Sequence, residues 1–277
     1  MSICRVFPLN NAMPDRSPVI QLENVCFSYR TREVLHNVNF EVGEQDMMAI
    51  VGPNGGGKTT LLHLILGLLK PVRGRVLLLG EDPQKSRNRV GYVAQNMQFD
   101  NAFPITALEV TEMGCLHQRD EGQSARQGRE KAMEALRATG CERLHAAPFA
   151  SLSGGERQRV MIASAMAGDP ELLLMDEPTA NVDPKSEHEL YTLFQEMNRK
   201  IPIVFVSHNL SVVSRNVSHV LCVNHTAVAH PIGEILHTTF TELYGGKLAL
   251  LSHDMHCHIT DPSHAYDEPH THEPNCD

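Results

Sequence analysis

The sequence predicts an α/β fold in which a mainly parallel sheet forms the core, an antiparallel β subdomain precedes it and a helical subdomain is inserted into it. After a glycine-rich loop at 52–59, short apolar segments alternate with amphipathic segments, which indicates parallel strands covered by helices on both faces. Before this loop, residues 18–51 alternate apolar and polar positions, as half-buried antiparallel strands do. Residues 105–147 are rich in Glu, Ala, Met and Leu, which favours helices.

The individual elements follow from the same patterns in chain order. The apolar segments predict strands at 19–29, 34–35, 38–42, 47–51, 74–80, 172–175 and 203–206. The amphipathic segments predict helices at 59–69, within 105–147, at 154–167 and at 186–200. We expect the first helix to continue to residue 69, because Lys70-Pro71 is where a proline first interrupts it.

We divide the chain into a loose N-terminal arm at 1–17, a folded domain at 18–245 with its helical subdomain at about 100–160, and a flexible tail at 246–277. The arm is polar and shows no periodicity. Residues 253–277 carry six acidic side chains and no Lys or Arg, so only −3 of the net charge of −9 belongs to the preceding residues. The tail is therefore a compositionally separate segment.

Composition excludes several classes of protein. The longest apolar runs are far shorter than the ~20 residues of a membrane-spanning helix, and the first residues lack the charged-then-apolar pattern of a secretory signal. The seven cysteines are scattered and odd in number, which is typical of reduced thiols. We therefore expect a cytosolic protein. The negative net charge argues against nucleic acid as a main partner.

The glycine-rich loop has the pattern G-x-x-x-x-G-K-[ST], and it follows a predicted strand and opens a predicted helix. In such a loop the backbone N–H groups point at phosphates, the lysine places a positive charge on the β and γ oxygens, and the Ser or Thr hydroxyl reaches Mg²⁺. The sequence therefore predicts a site for ATP and Mg²⁺. Its residues are Gly52, Pro53, Asn54, Gly55, Gly56, Gly57, Lys58, Thr59 and Thr60.

A pair of carboxylates follows the apolar segment 172–175. With a phosphate loop elsewhere in the chain, Asp176 is well placed to hold Mg²⁺, directly or through water. Glu177 lies one residue beyond this metal ligand and is the better candidate for polarising the attacking water. These residues predict a nucleoside triphosphatase.

The pentapeptide Leu152-Ser153-Gly154-Gly155-Glu156 precedes the acidic pair by about twenty residues. This order of loop, LSGGE and acidic strand resembles the ABC-type ATPases, and the resemblance covers about residues 18–245. It implies that Ser153, Gly154 and Gly155 bind the γ-phosphate held by a second subunit, at the start of a helix, and that Glu156 belongs to the same signature site. It also implies that two ATPase subunits, expected to be identical, meet head-to-tail.

The resemblance assigns roles to four further residues. Gln95 matches the glutamine that touches Mg²⁺ or the water and senses the membrane partner, and Asp183 matches an aspartate at the dimer interface. His208 matches the histidine that contacts the γ-phosphate and holds Glu177 in line. Tyr29 stands where the family places a ring against adenine, although neighbouring Phe27 competes for this role.

Two segments resemble the metal-ion uptake branch of the family, which transports zinc or manganese. Residues 103–114 lie where these ATPases grip a helix of the permease, and 220–225 read VLCVNH. The resemblance implies integral membrane permease subunits and an extracytoplasmic metal-binding protein as partners. It places the ATPase on the cytoplasmic face of the inner membrane.

The tail adds borderline-soft ligands that suit Zn²⁺, although their spacing is irregular and an inert solvated tail is the alternative. These ligands are His253, His256, Cys257, His258, His264, His270, His272 and Cys276. Zinc import is the leading interpretation, and manganese or iron(II) import is the alternative within transport. A soluble ABC ATPase that remodels a protein or an iron–sulfur assembly complex is the alternative of another class; a membrane partner bound at 103–114 would exclude it.

Overall fold

The structure is a computed structural model that describes residues 18–95, 104–117, 122, 124–180, 182–209 and 216–232. These residues form two sheets, one of three strands in the order β2-β1-β4 and one of six in the order β5-β6-β7-β3-β8-β9. The strands are β1 Ile20–Tyr29, β2 Arg32–Val42, β3 Met47–Val51, β4 Arg73–Leu78, β5 Val90–Val93, β6 Leu172–Met175, β7 Ile203–Val206, β8 His219–Asn224 and β9 Thr226–Pro231.

The six-stranded sheet is parallel except at its β9 edge. Strand β3 pairs in parallel with β7 and β8, β6 pairs in parallel with β5 and β7, and β9 is antiparallel to β8. Every residue of β3, β6 and β7 is buried, which is why these strands are continuous apolar runs in the sequence. The predicted fold class, with its mainly parallel core, is confirmed.

The three-stranded sheet is wholly antiparallel, with β1 between β2 and β4. Its strands bury alternate residues, such as Ile20 and Leu22 in β1, because successive side chains of a strand point to opposite faces. The two short segments predicted at 34–35 and 38–42 are parts of the single strand β2.

The helices of the described residues surround the parallel sheet and form the inserted helical region. They are α1 Lys58–Ile65, α2 Pro83–Ser86, α3 Ala107–Glu112, α4 Ala125–Ala138, α5 Gly154–Met166 and α6 Pro184–Asn198. The region predicted as helical at 105–147 contains α3 and α4, each of which begins with a capping box, at Thr106 and Ser124 respectively. These caps begin separate helices because each supplies partners for otherwise unpaired N–H groups.

The prediction that the first helix continues to residue 69 is wrong. Helix α1 ends at Ile65, and Gly67 adopts a left-handed φ of 63°. The N–H of Gly67 donates to the Leu64 carbonyl and that of Leu68 to the His63 carbonyl, which is the Schellman pattern of helix termination. A glycine therefore ends the helix before the proline can.

Among the described residues, no helix combines the length and apolar character that a bilayer crossing requires. The predicted arm at 1–17 lies outside the described residues, as do positions 233–277 of the predicted domain and tail. The proposed domain boundaries therefore remain predictions.

Candidate functional site

Three neighbouring parallel strands end at the same edge of the sheet, and each is followed by predicted site residues. Strand β3 leads into the phosphate loop at 52–59, β6 into Asp176-Glu177, and β7 into Ser207-His208. The strand order β6-β7-β3 places these three connections side by side. The carboxyl edge of an open parallel sheet is where such folds bind ligands, and this arrangement brings the predicted residues together.

Two glycines of the phosphate loop combine a positive φ with the close approach of a neighbouring strand. Gly52 has a φ of 151°, and a Cβ added to it would lie 1.9 Å from the carbonyl oxygen of Val223 in β8. Gly57 has a φ of 105°, and its Cβ would lie 2.7 Å from the Leu35 side chain in β2. Both the backbone conformation and the available space therefore exclude larger residues.

Lys58 is buried at the start of α1, and its ammonium group is held inside the loop. Its Nζ donates hydrogen bonds to the carbonyls of Gly52 at 2.9 Å and Pro53 at 3.0 Å. Burial lowers the pKa of Lys58, against the charges of Glu177 and Asp176, which raise it. The N-terminus of α1 has no side-chain cap, so its N–H groups remain for an anion.

Asp176 supplies a carboxylate suited to a hard cation. It is 2% exposed, and its Oδ1 has no hydrogen-bond partner among the described residues. Burial raises the pKa of Asp176, while a hydrogen bond with the Thr59 side chain lowers it. An orphaned buried oxygen next to a hydroxyl fits the oxygen ligands that Mg²⁺ prefers, so the residues present fit the predicted metal.

Glu177 is held at both of its carboxylate oxygens. Gln95 donates from Nε2 to Oε2 at 2.6 Å, and His208 lies with its Nε2 2.5 Å from Oε1. Because a carboxylate only accepts, His208 must carry a proton on Nε2. Glu177 has a left-handed φ of 51°, a strained conformation that recurs at functional sites. Gln95, predicted as a metal contact, is placed against Glu177.

A cavity of about 700 Å³ extends from these groups to the β1–β2 hairpin. Tyr29 lines it and is 48% exposed, whereas Phe27 is 6% exposed and packs edge-on against Tyr29 with a ring-centroid distance of 4.8 Å. The geometry therefore favours Tyr29 over Phe27 as the ring available to a base. The cavity is also lined by Asn54, Gly55, Gly57, Lys58, Thr59, Thr60, Gln95, Glu177 and His208.

The signature residues begin helix α5 and cap it. Ser153 is the N-cap of this helix. Its backbone N–H and its hydroxyl both donate to the Glu156 carboxylate, at 2.8 Å and 2.7 Å respectively. Gly154 is exposed, whereas Gly155 is buried and faces Ser186 of α6. In the part of the chain that the structure describes, none of these residues lines the cavity around the phosphate loop.

Asp183 is the N-cap of α6. Its Oδ1 accepts from the N–H groups of Lys185 and Ser186, both at 3.1 Å, and the Ser186 hydrogen bonds lower the pKa of this carboxyl. Its predicted contact with a second subunit remains a prediction.

Sequence reasoning missed three residues that line the cavity, namely Arg32, Val34 and His225. The signal for His225 was present in the segment 220–225, which was singled out only for its resemblance to metal-transport ATPases. No sequence pattern shows that the β8–β9 turn reaches β2, because this contact joins residues almost 200 positions apart.

Comparison with known proteins agrees with this geometry. The sequence profile of the ABC transporter family matches residues 35–180, which is more than half of the chain. The chain belongs to this family. The resemblance inferred from LSGGE is thus confirmed, and the membership implies binding of ATP and Mg²⁺ and hydrolysis of ATP.

Two relatives and one solved structure illustrate the membership. The zinc import ATP-binding protein ZnuC of Pseudomonas entomophila is 33% identical over 90% of this chain and 96% of its own. The zinc uptake system ATP-binding protein ZurA of Listeria innocua is 36% identical over 74% of this chain and 82% of its own. A dimeric ATP-binding cassette in a post-hydrolysis state with ADP and Pi is 28% identical, with a TM-score of 0.68, over 77% of this chain and 98% of its own.

Proposed function

We propose that this chain is the ATP-hydrolysing subunit of an ABC transporter that imports a divalent metal ion, with zinc as the cargo. The observation that carries the proposal is the likeness to ATP-binding proteins named for zinc import and zinc uptake, which extends over most of both chains. The sequence of the segment 220–225 supports the same branch of the family.

In this proposal each side chain of the cavity acts on one part of the nucleotide. Tyr29 stacks on the base, and the N–H groups of the phosphate loop and Lys58 bind the phosphates. Thr59 and Asp176 would hold Mg²⁺, which when bound neutralises charge on the phosphate oxygens. Glu177 accepts the proton of the attacking water. Its hydrogen bonds with Gln95 and His208 maintain the orientation of its carboxylate.

A second copy of the chain completes each site in a head-to-tail dimer. The capped start of α5 lies outside its own chain's cavity, and a helix N-terminus is suited to an anion supplied from elsewhere. Ser153, Gly154 and Gly155 would then contact the γ-phosphate bound by the partner's loop. The dimeric solved relative supports the formation of a dimer. In the proposed arrangement, closure of the dimer drives transport and hydrolysis resets it.

The permease binds the helical region near α3. Met113 and Leu116 follow this helix and are 46% and 49% exposed, so they offer apolar surface to a membrane partner. Phe103, at the start of the predicted contact, lies outside the described residues. The ATPase is then held on the cytoplasmic face of the inner membrane by permease subunits, and an extracytoplasmic metal-binding protein delivers the cargo to them.

We expect a strain that lacks this chain to grow poorly when zinc is chelated. Added Zn²⁺ should restore its growth, as should the wild-type gene, whereas a gene encoding Lys58→Ala should not, because the loop then lacks its charge for the phosphates. Growth curves in media depleted of single metals measure this. Rescue by Mn²⁺ or Fe²⁺ and not by Zn²⁺ would contradict zinc as the cargo, and no metal dependence at all would contradict metal import.

We further propose that the tail binds Zn²⁺ weakly. This rests on the sequence alone, since residues 246–277 lie outside the described residues; six His and two Cys occur within 253–277. Calorimetric titration of Zn²⁺ into the full chain and a 1–252 truncation should show additional binding in the full chain only. The truncation should retain ATP hydrolysis, as its cassette is intact. Equal stoichiometry in the two proteins would contradict the proposal.

A further inference from the structure

His225 occupies the tight turn between β8 and β9 and lines the nucleotide cavity. Its neighbours Asn224 and Thr226 pair with each other across the hairpin, and His225 adopts a left-handed φ of 59°. This conformation turns the chain at a single residue. It brings the end of β8 against Gly56 of the phosphate loop and against β2.

Three hydrogen bonds of His225 join these parts. Its N–H donates to the Gly56 carbonyl at 3.0 Å, and its carbonyl accepts from the His36 N–H at 2.7 Å. Its ring Nδ1 lies 3.1 Å from the Val34 carbonyl oxygen. A carbonyl oxygen only accepts, so Nδ1 carries the proton and fixes the tautomer. The other ring nitrogen, Nε2, is then a hydrogen-bond acceptor in the neutral ring.

We propose that His225 determines the base specificity of the nucleotide site by accepting, at Nε2, a hydrogen bond from the exocyclic amino group of adenine. This inference deepens the proposed function and rests on it. Stacking on Tyr29 does not select a base, because every base presents a π-face. The ring of His225 is tied to Val34, which lines the same cavity as Tyr29. Adenine offers a donor at its amino group, whereas guanine has an oxygen acceptor in its place.

The variant His225→Asn separates this contact from the structural role of the residue. Asparagine tolerates a left-handed φ, and its amide N–H₂ can replace Nδ1–H toward Val34, but it has no group at the position of Nε2. We expect the dissociation constant for ATP to rise about 3- to 10-fold, the range for one neutral hydrogen bond. The dissociation constant for GTP should not rise, so the preference for ATP over GTP falls by the same factor.

The matched control is His36→Asn. His36 forms a backbone hydrogen bond with His225, but its ring pairs with Glu33 and does not line the cavity. Competition binding of ATP, GTP and 2′-deoxy-ATP to the full chain, with a melting curve for each variant, measures the effect. An unchanged ATP-to-GTP preference in folded His225→Asn overturns the proposal. Loss of discrimination against 2′-deoxy-ATP alone also overturns it, because the contact would then be to the ribose.

A measurement on the wild-type chain covers the case in which His225→Asn does not fold. An ATP analogue with a dimethylated amino group has no donor there, and we expect it to bind about 3- to 10-fold more weakly than ATP. The His36→Asn variant is the control, and its ratio of analogue affinity to ATP affinity should equal that of the wild-type chain. Equal affinity for analogue and ATP overturns the proposal. Failure of the proposed function can be distinguished from failure of this inference. A wild-type chain that bound no ATP would contradict the proposed function, and no affinity ratio could then be measured.

Discussion

The Glu177→Gln variant is expected to bind ATP and form a stable dimer while its turnover falls about 100-fold or more, the usual contribution of a general base. The amide cannot take the proton of the attacking water. ATP affinity persists because the phosphates are held by the loop, where Lys58 bonds to loop carbonyls and not to Glu177. Phosphate release and size-exclusion chromatography with ATP measure the two effects.

The matched control is Glu171→Gln. Glu171 immediately precedes β6, whereas Glu177 follows it, and its carboxylate pairs with Arg89. The same chemical change at the opposite end of the strand should leave turnover unchanged. A Glu177→Gln protein that hydrolysed ATP at the wild-type rate would remove Glu177 from its proposed role.

The Gly154→Asp variant is expected to fold and bind ATP, but to form no ATP-dependent dimer and to lose about 100-fold or more in hydrolysis, the loss seen when one anion-stabilising contact is removed. Gly154 is the exposed first residue of α5, where an aspartate is compatible with the helix. In the proposed dimer the new carboxylate would face the partner's γ-phosphate and repel it. Melting curves, ATP binding and phosphate release measure these effects.

Mixing two inactive variants tests whether the site is shared between subunits. A dimer of Gly154→Asp and Lys58→Ala contains one site with an intact loop from the first chain and an intact signature from the second. We expect an equal mixture to recover up to about a quarter of the wild-type activity, because half of the dimers are mixed and each has one of two sites. Mixed dimers isolated with two affinity tags and found inactive would contradict a shared site.

The sequence predicted most closely those elements that are buried on both faces. Strands β3, β6 and β7 have the predicted bounds, because a continuous apolar run bounded by polar residues leaves few alternatives. The end of α1 was misplaced because the left-handed conformation of Gly67 decides it, and glycine is also tolerated within helices.

The sequence predicted the residues of the site because their motifs have fixed spacings. It did not predict the contacts that these residues make with one another. The bonds from Gln95 and His208 to Glu177 join β5, β6 and β7, and strand order depends on long-range pairing that no local pattern encodes. His225 was missed for the same reason. Its contact with Val34 depends on how the hairpin β8–β9 packs on β2.

The bonds from Lys58 to the carbonyls of Gly52 and Pro53 have a consequence for the thermodynamics of nucleotide binding. They close the phosphate loop around its own lysine, while Val223 and Leu35 pack against it. Fixing a free backbone costs about 1–2 kcal/mol per residue, and a preorganised loop has incurred this entropic cost during folding. More of the nucleotide's binding free energy then remains to bring two subunits together. Slow amide hydrogen exchange of the loop in the nucleotide-free protein is the expected signature.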